Sequence, residues 1–74
     1  MQKPKPKSQL VKGFGKQLRA LRLQRDLSQE ALAAKAGLHR TYISLIERGK
    51  QSVTLDSMEK LAGALGVSVK KLMP

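Results

Sequence analysis

The stretch from Leu27 to Lys50 constrains the fold of this chain most, because a glycine divides it into two short helical segments. Gly37 adopts a left-handed backbone conformation without steric cost, which suits the end of a helix and the start of a turn. Apolar residues on either side recur three or four positions apart, as on one helix face: Leu32 and Ala36, then Ile43 and Ile46. This spacing predicts two short helices that meet across a tight turn, a helix-turn-helix.

Apolar spacing and capping residues outside this stretch predict three further helices. Phe14, Leu18 and Leu21 follow the i, i+4, i+7 spacing of a buried helix face. Gly13 and Gly15 are expected to weaken the first turn of that helix. Residues suited to helix ends stand at Ser28, Thr54, Gly66 and Ser68. The predicted helices cover residues 10–25, 29–36, 40–47, 55–65 and 69–73.

These helices predict an all-α fold in one small domain. With 74 residues, the chain has room for a single core, which we place in residues 10–74. Residues 1–9 are expected to form a basic, disordered tail, because each proline disfavours helix in the residue before it. Two interpretations of the tail stay open, a basic arm along DNA and a solvated end.

The charge of the chain points to a polyanionic partner. Fifteen Lys and Arg residues against five acidic residues give a net charge of +10. A small domain this basic is attracted to nucleic acid first and to an anionic membrane surface second. The alternative is a basic surface that is simply solvated. A non-specific packer of nucleic acid is a further possibility that this charge supports.

Several classes of protein are disfavoured by what the sequence lacks. Without cysteine, disulfide frameworks and cysteine-based zinc sites are excluded. A single histidine, His39, and five dispersed acids offer neither a metal site nor a catalytic centre, so we expect no metal, no cofactor and no enzyme. No apolar run approaches the ~20 residues of a membrane span, and no signal peptide is seen. We therefore expect a cytoplasmic protein without membrane contact.

The helix-turn-helix stretch resembles that of the lambda-repressor/Cro-like family, often called the Xre family. The matching residues are Ser28-Gln29-Glu30, Leu32-Ala33, Ala36-Gly37, Ile43-Ser44 and Glu47-Arg48-Gly49. The run Arg40-Thr41-Tyr42-Ile43-Ser44, with Ile46-Glu47-Arg48, further resembles controller proteins of restriction-modification systems. The resemblance covers about residues 15–72 and implies a compact, five-helix, lambda-repressor-like domain that binds double-stranded DNA. Val53-Thr54 stands where family members often carry a proline, which leaves the shape of that loop open.

The second helix of the pair would read bases with its N-terminal residues, as recognition helices do in the major groove. Its outward positions are His39, Arg40, Thr41, Ser44 and Leu45. Arg40 can donate two hydrogen bonds to O6 and N7 of a guanine, and Thr41 can offer a hydroxyl or touch a thymine methyl. Leu45 suits a thymine methyl if it is exposed and belongs to the core if it is buried.

A second set of residues would hold the DNA backbone. The predicted phosphate contacts are Gln29, Tyr42, Arg48, Lys50, Gln51 and Ser52. The resemblance makes Gln29 such a contact, at a helix N-terminus that presents free N–H groups to an anion. Tyr42 is expected to face the backbone or the partner half-site. The loop residues after the recognition helix have suitable chemistry, and an ordinary polar turn is the alternative.

The resemblance also implies one ion pair and one dimer contact. Arg22 would pair with Glu47 and so clamp the first helix to the end of the third. The chain end carries more apolar surface than a short helix can bury alone, which indicates a dimer contact through Val67, Val69, Leu72 and Met73. The alternative is that these four residues seal the core of the single chain.

These features predict a sequence-specific transcription regulator that binds a palindromic operator as a homodimer. Two recognition helices would enter successive major grooves, about one helical turn or ~34 Å apart. A protein of this small size suits a circuit in which the regulator controls its own synthesis, as expected for controller proteins of restriction-modification systems. RNA polymerase is a conceivable second partner. The rival hypothesis is an antitoxin of the same fold, whose second partner is a toxin protein.

Overall fold

The computed structural model describes residues 9–74, and five α-helices account for the regular structure of that part of the chain. They are α1 (Gln9–Gln24), α2 (Gln29–Ala36), α3 (Arg40–Glu47), α4 (Leu55–Leu65) and α5 (Val69–Leu72). The predicted all-α, five-helix fold is confirmed, with bounds that differ by one residue at the ends of α1 and α5. Gln9, which we had assigned to the tail, begins α1, and residues 1–8 lie outside the described residues.

Short polar side chains and glycines set the helix ends, as the sequence predicted for α2 and α4. The Ala31 N–H donates to the Oγ of Ser28 at 2.9 Å, and the Ser57 N–H donates to the Oγ1 of Thr54 at 3.0 Å. Gly37 and Gly66 end these two helices in the left-handed conformation, with φ values of 69° and 70°. Ser68 precedes α5 with extended backbone, but its side chain makes no cap hydrogen bond.

One apolar core joins all five helices. The six largest fully buried side chains come from every helix: Leu18, Leu32, Ile43, Ile46, Leu61 and Leu72. Helix α1 packs against α3 and α5, α2 packs against α3 and α4, and α4 packs against α5. The predicted apolar face of α1, formed by Phe14, Leu18 and Leu21, is fully inside this core. The helix-turn-helix is therefore held from behind by α1 and α4.

The crossing of α1 and α3 depends on a glycine whose role the sequence analysis missed. Gly15 is buried, and a Cβ at this position would overlap the backbone carbonyl oxygen of Ile46. Gly13, one half-turn earlier, faces Pro74, whose Cβ would stand 2.7 Å from an added Cβ. The pair was expected to weaken the start of α1. In the structure both glycines lie inside a regular helix; Gly15 allows a close approach of the α3 backbone, and Gly13 makes room for the ring of Pro74.

Helix α5 corrects one part of the predicted dimer contact. Leu72 is completely buried in the core of the single chain, so its predicted place at a dimer surface is wrong. Val67 and Val69 are half-buried and pack against that core, whereas Met73 is exposed. The alternative interpretation, in which this segment seals the protomer, therefore holds for Leu72. No helix within residues 9–74 combines the length and apolarity needed to span a bilayer.

Candidate nucleic-acid interface

The three-residue connection between α2 and α3 fixes the angle of the helix-turn-helix. The N–H of Leu38 donates to the carbonyl oxygen of Ala33 at 2.9 Å, closing the end of α2 around Gly37. Ala33 and Ala36 are buried, and their small side chains let α3 approach α2 closely. Because Leu38 packs against the core, the turn is anchored on both sides.

Helix α3 divides sharply into a buried face and an outward face. Ile43 and Ile46 are fully buried, with 0% and 1% of their surface exposed. The predicted base-reading residues His39, Arg40 and Thr41 are all exposed at the N-terminal end of α3. Ser44 and Leu45 are half-buried, so Leu45 belongs wholly to neither the surface nor the core. The structure thus brings all five predicted base-reading positions onto or next to one side of α3.

Among residues 9–74, no polar side-chain contact holds the N-terminal end of α3, at His39, Arg40 and Thr41. His39 has the extended backbone of an N-cap residue, but its ring makes no cap hydrogen bond. Within residues 9–74, the Arg40 guanidinium takes part in neither ion pair of the structure. A side chain that is exposed and unpaired keeps its hydrogen-bond donors available, and a guanidinium has five of them in a fixed fork.

The C-terminal end of α3 is held by the ion pair that the resemblance implied. The Nε of Arg22 lies 2.6 Å from Oε2 of Glu47, and its Nη2 donates to Oε1 at 2.9 Å. The Nη1 of Arg22 donates to the carbonyl oxygen of Leu27 at 2.8 Å. Only 9% and 3% of the Arg22 and Glu47 side chains are exposed, so this bidentate pair is largely shielded from water. Hydrogen bonds to Glu47 raise the pKa of the Arg22 guanidinium, against the opposing effect of burial.

Gln29 joins the same cluster from the first position of α2. Its Nε2 donates to Oε1 of Glu47 at 3.2 Å, which ties the beginning of α2 to the end of α3. A glutamine amide carries two N–H donors, so one remains for another acceptor. The contact between Gln29 and a DNA phosphate stays a prediction, and this geometry is compatible with it.

The loop after α3 presents the other predicted phosphate contacts at the surface. Arg48, Lys50, Gln51 and Ser52 are exposed, and the Nε of Arg48 donates to the Ser44 carbonyl at 3.4 Å. The hydroxyl of Tyr42 accepts a 3.4 Å hydrogen bond from the N–H of Thr54, which directs the ring toward the end of this loop. The roles of these residues in DNA binding stay predictions.

Helix α1 contacts this loop at a point that the sequence analysis did not single out. Gly49 is buried with a φ of 70°, and a Cβ there would stand 3.0 Å from the Cγ of Lys12. The first turns of α1 therefore lie directly beside the loop residues Arg48 and Lys50. The spacing of Lys12 in the sequence gives no sign of this long-range contact.

No metal-binding cluster accompanies this interface in the part of the chain that the structure describes. Across residues 9–74, the His, Asp and Glu side chains form no group of three or more that could hold a metal ion. Residues Met1 to Ser8 of the tail, for which a basic arm along DNA and a solvated end are both open interpretations, fall outside the described residues.

Comparison with known proteins identifies the architecture. Residues 18–72 match the helix-turn-helix family HTH_3. The control protein C.BamHI of Bacillus amyloliquefaciens is 52% identical over 61 residues, covering 81% of this chain and 75% of the relative. The control protein C.MunI of a Mycoplasma species is 47% identical over 60 residues, covering 80% and 81%.

Solved structures agree with these relatives. The restriction-modification controller protein C.AhdI from Aeromonas hydrophila superposes with a TM-score of 0.82 at 44% identity, covering 84% of this chain and 94% of that chain. The biofilm regulator SinR, solved in complex with DNA, superposes with a TM-score of 0.77 at 35% identity, covering 80% and 95%. The relatives named here are regulators and control proteins. By profile, sequence and structure together, the chain belongs to the Xre-like helix-turn-helix family.

Proposed function

We propose that this protein is a sequence-specific regulator of transcription that binds double-stranded DNA, and that it serves as the controller protein of a restriction-modification system. The observation that carries the proposal is the exposed N-terminal end of α3. Within residues 9–74, Arg40 and Thr41 take part in no ion pair or side-chain hydrogen bond there, and the other end of the helix is anchored. Such a helix can enter the major groove and keep its donors for base edges. The relatives C.BamHI and C.MunI are named as control proteins, which supports a controller function over the antitoxin alternative.

The regulator acts as a homodimer on a two-fold symmetric operator. Met73 and Leu10 border an apolar depression of about 110 Å³ at the surface, lined also by Val11, Phe14 and Met58. Leu10 is 55% exposed, and Val67 and Val69 add further apolar surface on the α5 side. A second copy of this chain would cover this region, and two copies would present two α3 helices to successive major grooves.

The other partners follow from this function. RNA polymerase is a second partner if the regulator activates transcription from a site beside a promoter. Repression by occlusion of the promoter requires no second protein partner. No toxin partner and no catalytic role are proposed. The operator lies in bacterial or phage DNA, which places the protein in the cytoplasm.

Selection from a pool of random duplex DNA, followed by sequencing, tests the proposal. The wild-type protein is expected to enrich one two-fold symmetric site whose half-sites are about one helical turn apart. Arg40→Ala is expected to relax the preference at one position of each half-site, because one bidentate contact to a base is lost. Binding that selects no site and only fades as salt rises would contradict a sequence-reading regulator and favour a non-specific packer.

Sedimentation of the protein alone tests the dimer. Wild-type protein is expected to sediment as a dimer at micromolar concentration, and Met73→Glu is expected to shift it to the monomer by placing a charge in the apolar contact. If the wild-type protein sediments as a monomer both alone and in the presence of the selected DNA, the homodimer is removed from the proposal.

A further inference from the structure

Helix α1 carries a row of cations that the recognition helix does not use. Lys12, Lys16 and Arg19 are exposed and follow the i, i+4, i+7 spacing of one helix face, and we call them the basic stripe. The sequence of α1, QLVKGFGKQLRALRLQ, contains no acidic residue that could neutralise them from within the helix. The stripe is thus a continuous positive strip about two turns long.

Nothing in the described part of the protein balances this charge by an ion pair. Across residues 9–74 the ion pairs join Arg22 to Glu47 and Lys60 to Asp56, and neither includes a residue of the basic stripe. Like charges three or four residues apart on a helix disfavour the helix. The stripe therefore works against the stability of the free protein, and a bound polyanion would remove that repulsion.

The position of the stripe decides which polyanion fits. Lys12 packs against Gly49, in the loop that carries Arg48 and Lys50. One turn further, Gly15 lies against the Ile46 and Glu47 carbonyls. On a helical projection Lys12, Lys16 and Arg19 lie about 60°, 100° and 40° from Gly15, all on the same side. The basic stripe therefore begins at Lys12, beside the proposed phosphate contacts after α3, and runs from there along α1.

We propose that the basic stripe of α1 is a second DNA-backbone surface, which holds phosphates adjacent to those held by the loop after α3. The inference rests on the proposed function, because it takes the same duplex as the ligand. Its contacts are with phosphates, so the stripe adds affinity and salt dependence without adding base preference. Each protomer would then hold DNA through α3, its following loop and α1.

A charge-matched pair of variants tests the proposal. The stripe variant carries Lys12→Gln, Lys16→Gln and Arg19→Gln. The control variant carries Lys35→Gln, Lys60→Gln and Lys71→Gln, which remove the same charge from exposed sites on α2, α4 and α5. Affinity for the duplex that wild-type protein selects is measured by anisotropy between about 50 and 200 mM salt, and the slope of log K against log [salt] is compared.

The stripe variant is expected to lower the magnitude of this slope by about 5, because a dimer loses three phosphate contacts on each protomer at about 0.9 per contact. The control variant is expected to change it by less than about 1, because distant exposed charges are screened. Both variants are expected to keep the base preference of the wild-type protein. The melting temperature of the stripe variant is expected to equal or exceed that of the wild-type protein. Equal changes of slope in the two variants would overturn the proposal and leave only a general effect of net charge.

Failure of this inference is distinguishable from failure of the proposed function. If wild-type protein selects a site and Arg40→Ala relaxes it, but the stripe variant keeps the wild-type salt slope, only the stripe proposal falls. If selection finds no site, the regulator proposal falls. The same titration on a random-sequence 30-base-pair duplex then still decides whether α1 contacts the backbone.

Discussion

The two ends of α3 are held in opposite ways. At the C-terminal end, the Ile46 carbonyl lies against Gly15, and Glu47 accepts hydrogen bonds from Arg22 and Gln29. At the N-terminal end, His39 makes no cap hydrogen bond and Arg40 projects into solvent. One short helix is thus anchored to the fold at one end and free at the other.

This contrast separates stability from recognition along a single element. The anchored end is held by a shielded ion pair and a backbone contact. Disturbing either one lowers the free energy of unfolding substantially. The free end uses exposed side chains whose replacement changes few contacts within the chain. We therefore expect substitutions near the anchored end to change the free energy of unfolding, and substitutions at the free end to change DNA binding.

Arg22→Met is expected to have the largest effect, a loss of about 3–5 kcal/mol in the free energy of unfolding, because it leaves Glu47 buried without its cation. Urea denaturation followed by circular dichroism measures this loss. Arg19→Met, on the exposed face of the same helix, is the matched control and should change stability by less than about 0.5 kcal/mol. If both variants unfold at the same urea concentration, α3 is not anchored by this pair.

The same pair predicts how stability depends on pH. The pKa of Arg22 is raised in the folded protein, so its contribution is fully present at lower pH and is lost only as pH rises through that raised value. This value is far above neutrality. The stability difference between wild type and Arg22→Met should therefore stay constant from about pH 6 to pH 9. A difference that shrinks over this interval would mean that another group controls the pair.

Gly15→Ala is expected to rank second, with a loss of about 2–3 kcal/mol, because the added methyl overlaps the Ile46 carbonyl and forces α1 and α3 apart. Gly63→Ala is its control, since within residues 9–74 no atom beyond the adjoining backbone of α4 lies within 4 Å of a Cβ added at this exposed glycine. There the gain in helix propensity should stabilise the protein by about 0.5–1 kcal/mol. Opposite shifts in thermal melting would establish the close crossing, and two stabilised proteins would refute it.

At the free end, Arg40→Ala is expected to cost about 1–3 kcal/mol in binding to the selected duplex, with the free energy of unfolding within about 0.5 kcal/mol of wild type. Lys50→Gln gives the contrasting pattern, a uniform loss across DNA sequences and a shallower salt dependence. Anisotropy titrations on matched and mismatched duplexes separate the two. A large loss of stability in Arg40→Ala would show that the N-terminal end of α3 is not free.

The smallest expected difference lies between the N-caps of α2 and α3. Ser28→Ala should cost about 1 kcal/mol of stability, because it removes the acceptor for the Ala31 N–H. His39→Ala should change stability by less than about 0.5 kcal/mol, since the ring makes no cap bond. Chemical denaturation of the two variants side by side measures the difference, and equal losses would assign a capping role to His39.

Local patterns in the sequence were enough to predict the helices and most of their ends. The spacing of Leu32 and Ala36, and the glycines at Gly37 and Gly66, act within a few residues, so their consequences are visible without the fold. The pairing of Arg22 with Glu47 spans more of the chain, and only the family resemblance implied it. The assignments of individual residues to bases and phosphates stay predictions.

What could not be predicted depends on contacts between distant segments. The prediction for Gly15, a weakened first turn of α1, rested on helix propensity alone, because the sequence does not show that the Ile46 carbonyl lies against this glycine. The sequence predicted that Leu72 contributes apolar surface to a dimer contact, because a helix as short as α5 buries little apolar surface by itself. The space between α1 and α4 encloses this side chain completely, and that space exists only once both helices have packed.

The free N-terminal end of α3 also affects how proteins of this design can diverge. Within residues 9–74, the side chains of His39, Arg40 and Thr41 make no internal hydrogen bond or ion pair that a substitution could disturb, so little stability has to be restored by compensating changes. New operator preferences are therefore reachable through single substitutions that each yield a folded protein. Two such regulators in one cell can drift apart in the DNA they read while the scaffold behind α3 stays the same.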